Sequence, residues 1–338
     1  MTIDVSAAPA VTGPRNLTPG RRPRSVRRTA SLTTTWGPDV AEPMEIHGEC
    51  RDLLTPGDDM PAEVVGTGSL RAQVTRERVI ERISADPAHG RLSALVGARA
   101  GGRLRELLRE VMPDERSAGT PLYLLLDDLS GASLVSGFAL ALWPQRWPAD
   151  WQDAGGNRAA RRSMEGVCIG FQPGSSALSR PLGAPDSLNT RNVGPLPDQD
   201  DSLSWHAMDY ELVDVSMRRA RRIDVWLDGD RVEVDAAFQD SATHPDGGRV
   251  AVHQYRLWAT AELATGRIEA VHAEPHVLPF GECPLAVLNI PQLVGTPLQD
   301  MRDTVLERLK GVHGCTHLND ALRSLAEAPI LARFLAKL

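Results

Sequence analysis

The stretch that decides the fold is Ile223-Asp-Val-Trp-Leu-Asp-Gly-Asp-Arg-Val-Glu-Val-Asp-Ala-Ala-Phe238. Apolar and polar residues alternate along both halves of it, which is the period of a β-strand with one buried face. The halves meet at Asp228-Gly229-Asp230, and an Asp-Gly turn between two alternating runs is a strong indication of a hairpin. We therefore predict two antiparallel strands here.

A second hairpin is predicted directly after the first. Val250–Ala259 alternates in the same way, the chain turns at Thr265-Gly266, and a returning strand covers Arg267–Ala273. From Cys283 onward the apolar residues take helical spacing in three successive runs. The order of four strands and then three helices predicts an α+β fold, with an antiparallel sheet packed against C-terminal helices.

The N-terminal part of the chain is predicted to add further strands and helices. Short alternating runs at residues 31–36, 44–50 and 63–70 indicate edge or hairpin strands. Residues 92–112 carry helical spacing interrupted by Gly101 and Gly102, which predicts a pair of helices. The most apolar segment, residues 122–142, is interrupted by acidic residues, so we predict a buried helix rather than a membrane span.

Changes in composition predict four regions. Residues 1–30 are rich in Pro, Gly, Thr and Arg without a hydrophobic period, which is typical of a disordered arm. An N-terminal α+β region follows at 31–145, and a Gly/Pro-rich loop or insertion at 146–205. Residues 206–338 form the predicted C-terminal α+β domain.

Composition also limits the function classes. The net charge of −7 disfavours a general attraction to nucleic acid or to anionic membranes, and we expect neither as a partner. The N-terminus lacks the pattern of a signal peptide, and four cysteines in 338 residues are too few for a disulfide framework. We therefore expect a cytoplasmic protein with free thiols; its oligomeric state stays open.

Cysteine and histidine residues mark the candidate site in the C-terminal region. Cys283 and Cys315 each fall at the start of a predicted helix, where the helix dipole is expected to lower a thiol pKa. His317 follows Cys315 at short chelate-like spacing, and His253 lies on a predicted strand. Metal ligands are therefore predicted at Cys283, Cys315, His317 and His253, although buried structural cysteines remain an alternative.

Four C-terminal motifs carry a resemblance. They are Gly266-Arg-Ile-Glu-Ala-Val, Gly281-Glu-Cys283-Pro, Leu293-Val-Gly-Thr-Pro-Leu298 and Gly314-Cys-Thr-His-Leu-Asn-Asp-Ala-Leu-Arg323. Over residues 215–330 this pattern resembles a bacterial family known only as a domain of unknown function. The order of elements is also similar to that of iron-sulfur cluster assembly scaffolds, which implies that Cys283 and Cys315 match two of the scaffold's three cysteines, while His253 stands nearest to the third.

Three functions follow as expectations. A site of two cysteines and a histidine with one open position suits zinc or iron acting as a Lewis acid on a small molecule, in a lyase or a hydrolase. Asp240, at a strand end, and Glu282, beside Cys283, are the candidate general acid–base residues. The alternatives are a non-enzymatic iron-sulfur or sulfur-carrier scaffold and a structural module with buried cysteines. The Arg218–Arg222 cluster is predicted to be a solvated basic turn.

Overall fold

The computed structural model describes most of the chain, as six segments: residues 3–39, 42–57, 60–146, 163–179, 189–208 and 214–338. Much of the predicted 146–205 loop lies outside these residues.

One nine-stranded antiparallel sheet organises the described residues, which confirms the α+β class. Its strands are β1 (Ser25–Thr35), β2 (Met44–Thr55), β3 (Glu63–Val74), β4 (Ile80–Asp86), β5 (Arg191–Val193), β6 (Ser216–Asp228), β7 (Arg231–Thr243), β8 (Arg249–Glu262) and β9 (Ile268–Val277). Neighbouring strands follow the order β4-β3-β2-β1-β6-β7-β8, and both β5 and β9 pair with β8. The predicted hairpins β6–β7 and β8–β9 are confirmed, with left-handed glycines at Gly229 and Gly266 in their turns.

The sheet consists of two similar halves that meet where β1 pairs with β6. Each half is a run of four consecutive antiparallel strands, β1 to β4 and β6 to β9, followed in the chain by helices. β1 pairs with β6 along its whole length, from Ser25 opposite Trp226 to Thr35 opposite Ser216. The first strand was expected to be an edge or hairpin strand: it forms a hairpin with β2, but it is not an edge strand, because β6 covers its second edge and places it at the centre.

Helices cover one face of the sheet. They are α1 (Gly102–Val111), α2 (Pro113–Ala118), α3 (Pro121–Val135), α4 (Gly137–Leu142), α5 (Ser176–Ser179), α6 (Met301–Arg308), α7 (Thr316–Arg323) and α8 (Ala328–Leu335), together with a 3₁₀ helix at Cys283–Leu293. The helix α3 packs on β1, β2 and β3, whereas α7 packs on β7 and β8.

The apolar segment that begins at Pro121 is a core helix. Thr120 caps α3 by accepting a hydrogen bond from the backbone N–H of Tyr123, and Pro121 occupies the first turn. Residues 121–142 are apolar and long enough to cross a membrane, and an 18-residue stretch of them has a mean hydropathy of 1.4. However, 72% of that stretch is buried inside the protein. The prediction of a buried helix is confirmed.

The arm that we expected to be disordered lies against the other face of the sheet. The backbone carbonyl of Leu17 accepts a hydrogen bond from Arg222 at 2.7 Å, and Leu17 packs with Leu196 and Trp205 in a small apolar cluster. The hydroxyl of Thr12 bonds His276 on β9 at 2.7 Å. The composition of residues 1–30 favoured disorder, but the sheet supplies hydrogen-bond partners to the backbone of this arm.

The predicted basic turn at Arg218–Arg222 is instead the buried centre of β6. Side chains alternate between the two faces of the sheet, and Arg219, Arg221 and Arg222 each bind an acid there. Arg221 binds Asp128 of α3 at 2.7 Å, and Arg222 binds Asp224 and Asp235. The prediction was wrong because most of these acids come from other elements, which folding brings to β6.

Candidate metal centre

Three residues from three elements converge where the start of α7 meets the sheet. Asp240 on β7 stands directly opposite His253 on β8, next to a register shift that follows Asp240. His317 lies in the first turn of α7 and stacks on His253, with ring centroids 3.5 Å apart and ring planes at 19°. The sheet therefore supplies two of the polar groups and the helix supplies the third.

The ligand atoms of the three residues face one another. Oδ2 of Asp240 lies 3.2 Å from Nδ1 of His253 and 3.8 Å from Nε2 of His317. All three atoms lie within 4.8 Å of one another, and among the described residues no other group of three His, Cys, Asp or Glu side chains meets that limit. The 3.2 Å contact lacks hydrogen-bond geometry, so Nδ1 of His253 is buried without a hydrogen-bond partner.

Arg219 holds the carboxylate of Asp240 in place. Its Nε and Nη2 donate to the two oxygens of Asp240 at 2.9 and 3.0 Å, and its Nη1 donates to Asp320 at 2.9 Å. The guanidinium passes so close to Gly131 of α3 that a Cβ there would lie 1.6 Å from Nη1. A glycine in α3 therefore makes room for the arginine that positions Asp240.

Burial and charge set the protonation of the cluster. Burial alone would raise the pKa of Asp240, but the charge of Arg219, together with the contact from His253, holds this pKa well below its usual range. Burial lowers the pKa of His253, and the neighbouring Asp240 offsets this only in part. Burial, and next His253, lower the pKa of His317 well below 6.5. At neutral pH the cluster therefore holds one carboxylate and two uncharged imidazoles.

This donor set is one that metal ions use. Uncharged imidazole nitrogens and a carboxylate oxygen bind zinc and non-haem iron, and two histidines with one carboxylate leave further coordination positions for water or substrate. The side chain of His317 is 14% exposed, while Asp240 is fully buried. The cluster therefore has one side that is closed by the sheet and one that is close to solvent.

The family comparison places this cluster within a recognised domain. Residues 217–331 match the model of DUF2889, a family of proteins of unknown function. Neither the curated proteins nor the solved structures contain a match to this chain. The DUF2889 domain runs from β6 into α8 and contains Asp240, His253 and His317, as well as Arg219.

The structure divides the predicted ligand set in two. His253 and His317 lie together with Asp240, but no group within the 4.8 Å limit in the described part of the chain includes a cysteine. Cys283 begins the 3₁₀ helix and Cys315 precedes α7, as predicted from their positions at helix starts.

Both cysteines belong instead to a buried polar cluster with Cys168 and Tyr255. The hydroxyl of Tyr255 is buried without a hydrogen-bond partner, and the neighbouring Cys315 and Cys283 thiols, after burial, raise its pKa. Cys283 approaches Gly170 so closely that a Cβ there would lie 2.9 Å from the sulfur.

The expectation of lowered thiol pKa values is wrong. Burial raises the pKa of Cys283 well above 9.0 and that of Cys315 to about 12, and neighbouring thiols raise them further. Backbone N–H groups, including those at the start of α7, oppose this shift for Cys315 without cancelling it. A helix start lowers a thiol pKa effectively where the thiol keeps contact with solvent, and these thiols do not.

Glu282 occupies a structural position in the DUF2889 domain. Its two carboxylate oxygens accept hydrogen bonds from the backbone N–H and the hydroxyl of Ser176, at 2.8 and 2.7 Å. It therefore anchors the start of α5 and lies outside the Asp240–His253–His317 cluster. Asp240, the other predicted acid–base residue, belongs to that cluster.

Arg219 is the residue of the site that the sequence reasoning missed. The signal was present in the hairpin turn, because pairing Asp228 with Arg231 and counting back along both strands brings Arg219 opposite Asp240. An arginine facing an aspartate across two predicted strands indicates a pair. Because Arg218–Arg222 was interpreted as a local run of charge, the pairing of Arg219 with Asp240 was not predicted.

Proposed function

We propose that this chain is a metal-dependent enzyme in which Asp240, His253 and His317 hold one zinc or iron ion that acts on a small molecule. The observation that carries the proposal is the convergence of two imidazole nitrogens and a carboxylate oxygen within 4.8 Å. The buried Nδ1 of His253, which lacks a hydrogen-bond partner, supports it, because a bound cation would satisfy that lone pair.

Charge balance around Arg219 is compatible with a cation. A guanidinium next to a metal site repels the ion, yet Asp320 also binds Arg219, and Asp128 lies 3.9 Å away from it. These two carboxylates also pair with Arg221 and Arg105, so they offset the charge of Arg219 in part. Arg219 thereby fixes the ligand orientation, which is the role of an outer-shell partner.

The class of reaction follows from the open positions. A metal with three protein ligands polarises a carbonyl or activates bound water, which suits lyase or hydrolase chemistry. His317, on the side closer to solvent, borders the approach to the ion. A sulfur or iron-sulfur carrier is the second candidate, supported by the cluster of Cys168, Cys283 and Cys315.

Metal content of matched variants tests the proposal. We would prepare the wild type anaerobically, measure zinc and iron by elemental analysis, and titrate the metal-free protein with Co²⁺. We expect about one metal per chain, and at least about a 10-fold loss of affinity in His253→Gln and His317→Gln. His276→Gln is the control, because His276 is equally buried and lies on β9 outside the cluster.

The same measurement separates the alternatives. Cys283→Ser and Cys315→Ser are expected to keep the metal. Loss of metal in these two variants, with normal binding in both histidine variants, would move the site to the thiols and favour the scaffold. A wild type that binds neither zinc, iron nor Co²⁺ would rule out the metal proposal and leave a structural module.

A further inference from the structure

A cavity on the N-terminal half of the molecule lies outside the DUF2889 domain. It has a volume of about 370 Å³, which is within the range of pockets for small molecules. The turn between β3 and β4, the strands β1 and β2, and the helices α3 and α4 surround it. Its described lining is Trp36, Glu42, Met44, Arg76, Arg78, Arg99, Ser133, Leu134, Ser136, Gly137, Leu140, Ser163 and Met164.

The charged lining of this cavity is unbalanced. Arg78, which is half-buried, and Arg99, which is exposed, line the cavity together with a single acid, Glu42, among the described residues. Neither Arg78 nor Arg99 forms an ion pair with any residue that the structure describes, and burial, together with the charge of Arg99, lowers the pKa of Arg78.

Arg78 also has a backbone conformation that favours glycine. Its φ angle is +66°, in the left-handed region, and its amide N–H closes a turn onto the carbonyl of Thr75 at 2.8 Å. The carbonyl of Arg78 accepts a hydrogen bond from Ala100 at 2.6 Å, which fixes the turn against the chain entering α1. An arginine here strains the backbone where glycine would not, and such strain accumulates at functional sites.

The remaining walls are largely apolar. Trp36, Met44 and Leu140 line the cavity, while the hydroxyls of Ser133 and Ser136 are engaged by backbone carbonyls. We propose that this cavity binds a small amphipathic anion, whose carboxylate or phosphate pairs with Arg78 and Arg99 and whose apolar chain lies against Trp36 and Leu140. Bidentate pairing of guanidinium groups with such anions supplies both the affinity and the orientation.

Calorimetric titration of the full chain with octanoate, octyl phosphate and uncharged 1-octanol tests this proposal. We expect one of the two anions, or both, to bind at a single site, and 1-octanol to bind more weakly. The comparison of octanoate with octyl phosphate identifies which head group the site prefers. Arg78→Gly should lower anion affinity by roughly 10- to 100-fold, because it removes charged hydrogen bonds.

The Arg78→Gly variant separates binding from folding. Glycine accepts the left-handed conformation, so we expect its melting temperature to equal or exceed that of the wild type while binding is lost. Arg99→Gln should show the same loss of binding, and Arg82→Gln, an exposed arginine on β4 away from the cavity, should show none. Unchanged affinity in both Arg78→Gly and Arg99→Gln would overturn the proposal, as would failure of both anions to bind at millimolar concentration.

Discussion

In each half of the sheet, an arginine on the first strand faces an aspartate on the second. Arg28 faces Asp52 in the N-terminal half, and Arg219 faces Asp240 in the C-terminal half. Both arginines are the fourth residue of their strands, and both bind the aspartate through Nε and a terminal nitrogen.

The two halves differ in what stands next to the pair. Across from Asp52, on the third strand, is Gly66, whereas His253 occupies the equivalent place across from Asp240. Arg28 gives its remaining bonds to the carbonyl of Gly119 and to Glu327, so the N-terminal pair is enclosed by structure. The arginine–aspartate pair is therefore a common feature of the fold, whereas the histidines are present in one half only.

The largest expected effect is common to both halves. Arg28→Met leaves Asp52, and Arg219→Met leaves Asp240, buried without a cation, which costs about 3–5 kcal/mol of unfolding free energy. The second carboxylate in each half keeps another arginine, Arg302 on Glu327 and Arg105 on Asp320. Denaturant unfolding of the metal-free variants measures it. A cost below about 1 kcal/mol in either variant would contradict the structural role of the pair.

Metal binding should then distinguish the same two variants. Folded Arg28→Met is expected to keep its metal, whereas Arg219→Met loses affinity because Asp240 is no longer oriented. Arg28→Lys and Arg219→Lys, which keep the charge, provide milder variants for the same titration. An equal loss of metal affinity in Arg28→Met and Arg219→Met would show that the two halves of the sheet do not differ in metal binding.

A smaller effect concerns pH and affects only the C-terminal half. The pKa values of His253 and His317 are lowered in the folded protein, while an unfolded histidine titrates near 6.5. Below about pH 6.5 the unfolded chain therefore takes up protons that the folded one does not, and stability falls as the pH falls. A histidine that stays uncharged in the folded protein contributes about 1.4 kcal/mol per pH unit below about pH 6.5.

The pH effect is measured as a difference between two metal-free proteins. The unfolding free energy of the wild type should fall more steeply between pH 7 and 5 than that of His317→Gln. Other buried histidines, such as His206 with its pKa lowered to about 3, contribute equally to both proteins. Parallel curves would show that His317 is not held uncharged by the fold.

The smallest effect tests why the N-terminal half carries no histidine opposite its aspartate. A Cβ at Gly66 would lie 2.9 Å from Oδ2 of Asp52, which Arg28 holds in place. We expect Gly66→Ala to cost about 1 kcal/mol after the gain from a less flexible unfolded chain. Gly20→Ala, at a position with open space around it, is the control and should change little. A stabilised Gly66→Ala would show that space does not restrict this position.

Local patterns predicted the elements well. The β6–β7 and β8–β9 hairpins follow from turns a few residues long, and the buried helix follows from composition within one segment. The pairing of β1 with β6 was not predictable in this way, because it joins distant parts of the chain. Nothing in the sequence of either strand indicates which strand it pairs with. For the same reason the similarity of the two halves is visible in the strand order rather than as a sequence repeat.

The candidate site was predicted in part. His253, His317 and Asp240 were all recognised as chemistry-bearing residues, but helix-start arguments grouped the histidines with Cys283 and Cys315. Those arguments concern the sequence neighbourhood of a residue, whereas the cluster depends on which strand lies beneath which helix. The buried arginines were misjudged because their exposure depends on acids, such as Asp128, that are brought in from elsewhere by folding.

The central pairing of β1 with β6 has a consequence for synthesis of the chain. Roughly 180 residues separate the end of β1 from the start of β6, and at about 5–20 residues per second the ribosome needs about 10–40 s to make them. Throughout that time β1 can pair with β2 on one side only, and its other edge presents an open row of backbone groups. Unpaired edges of this kind join strands from other chains. The newly made N-terminal half, waiting for its partner, is therefore the stage at which this protein is most exposed to aggregation.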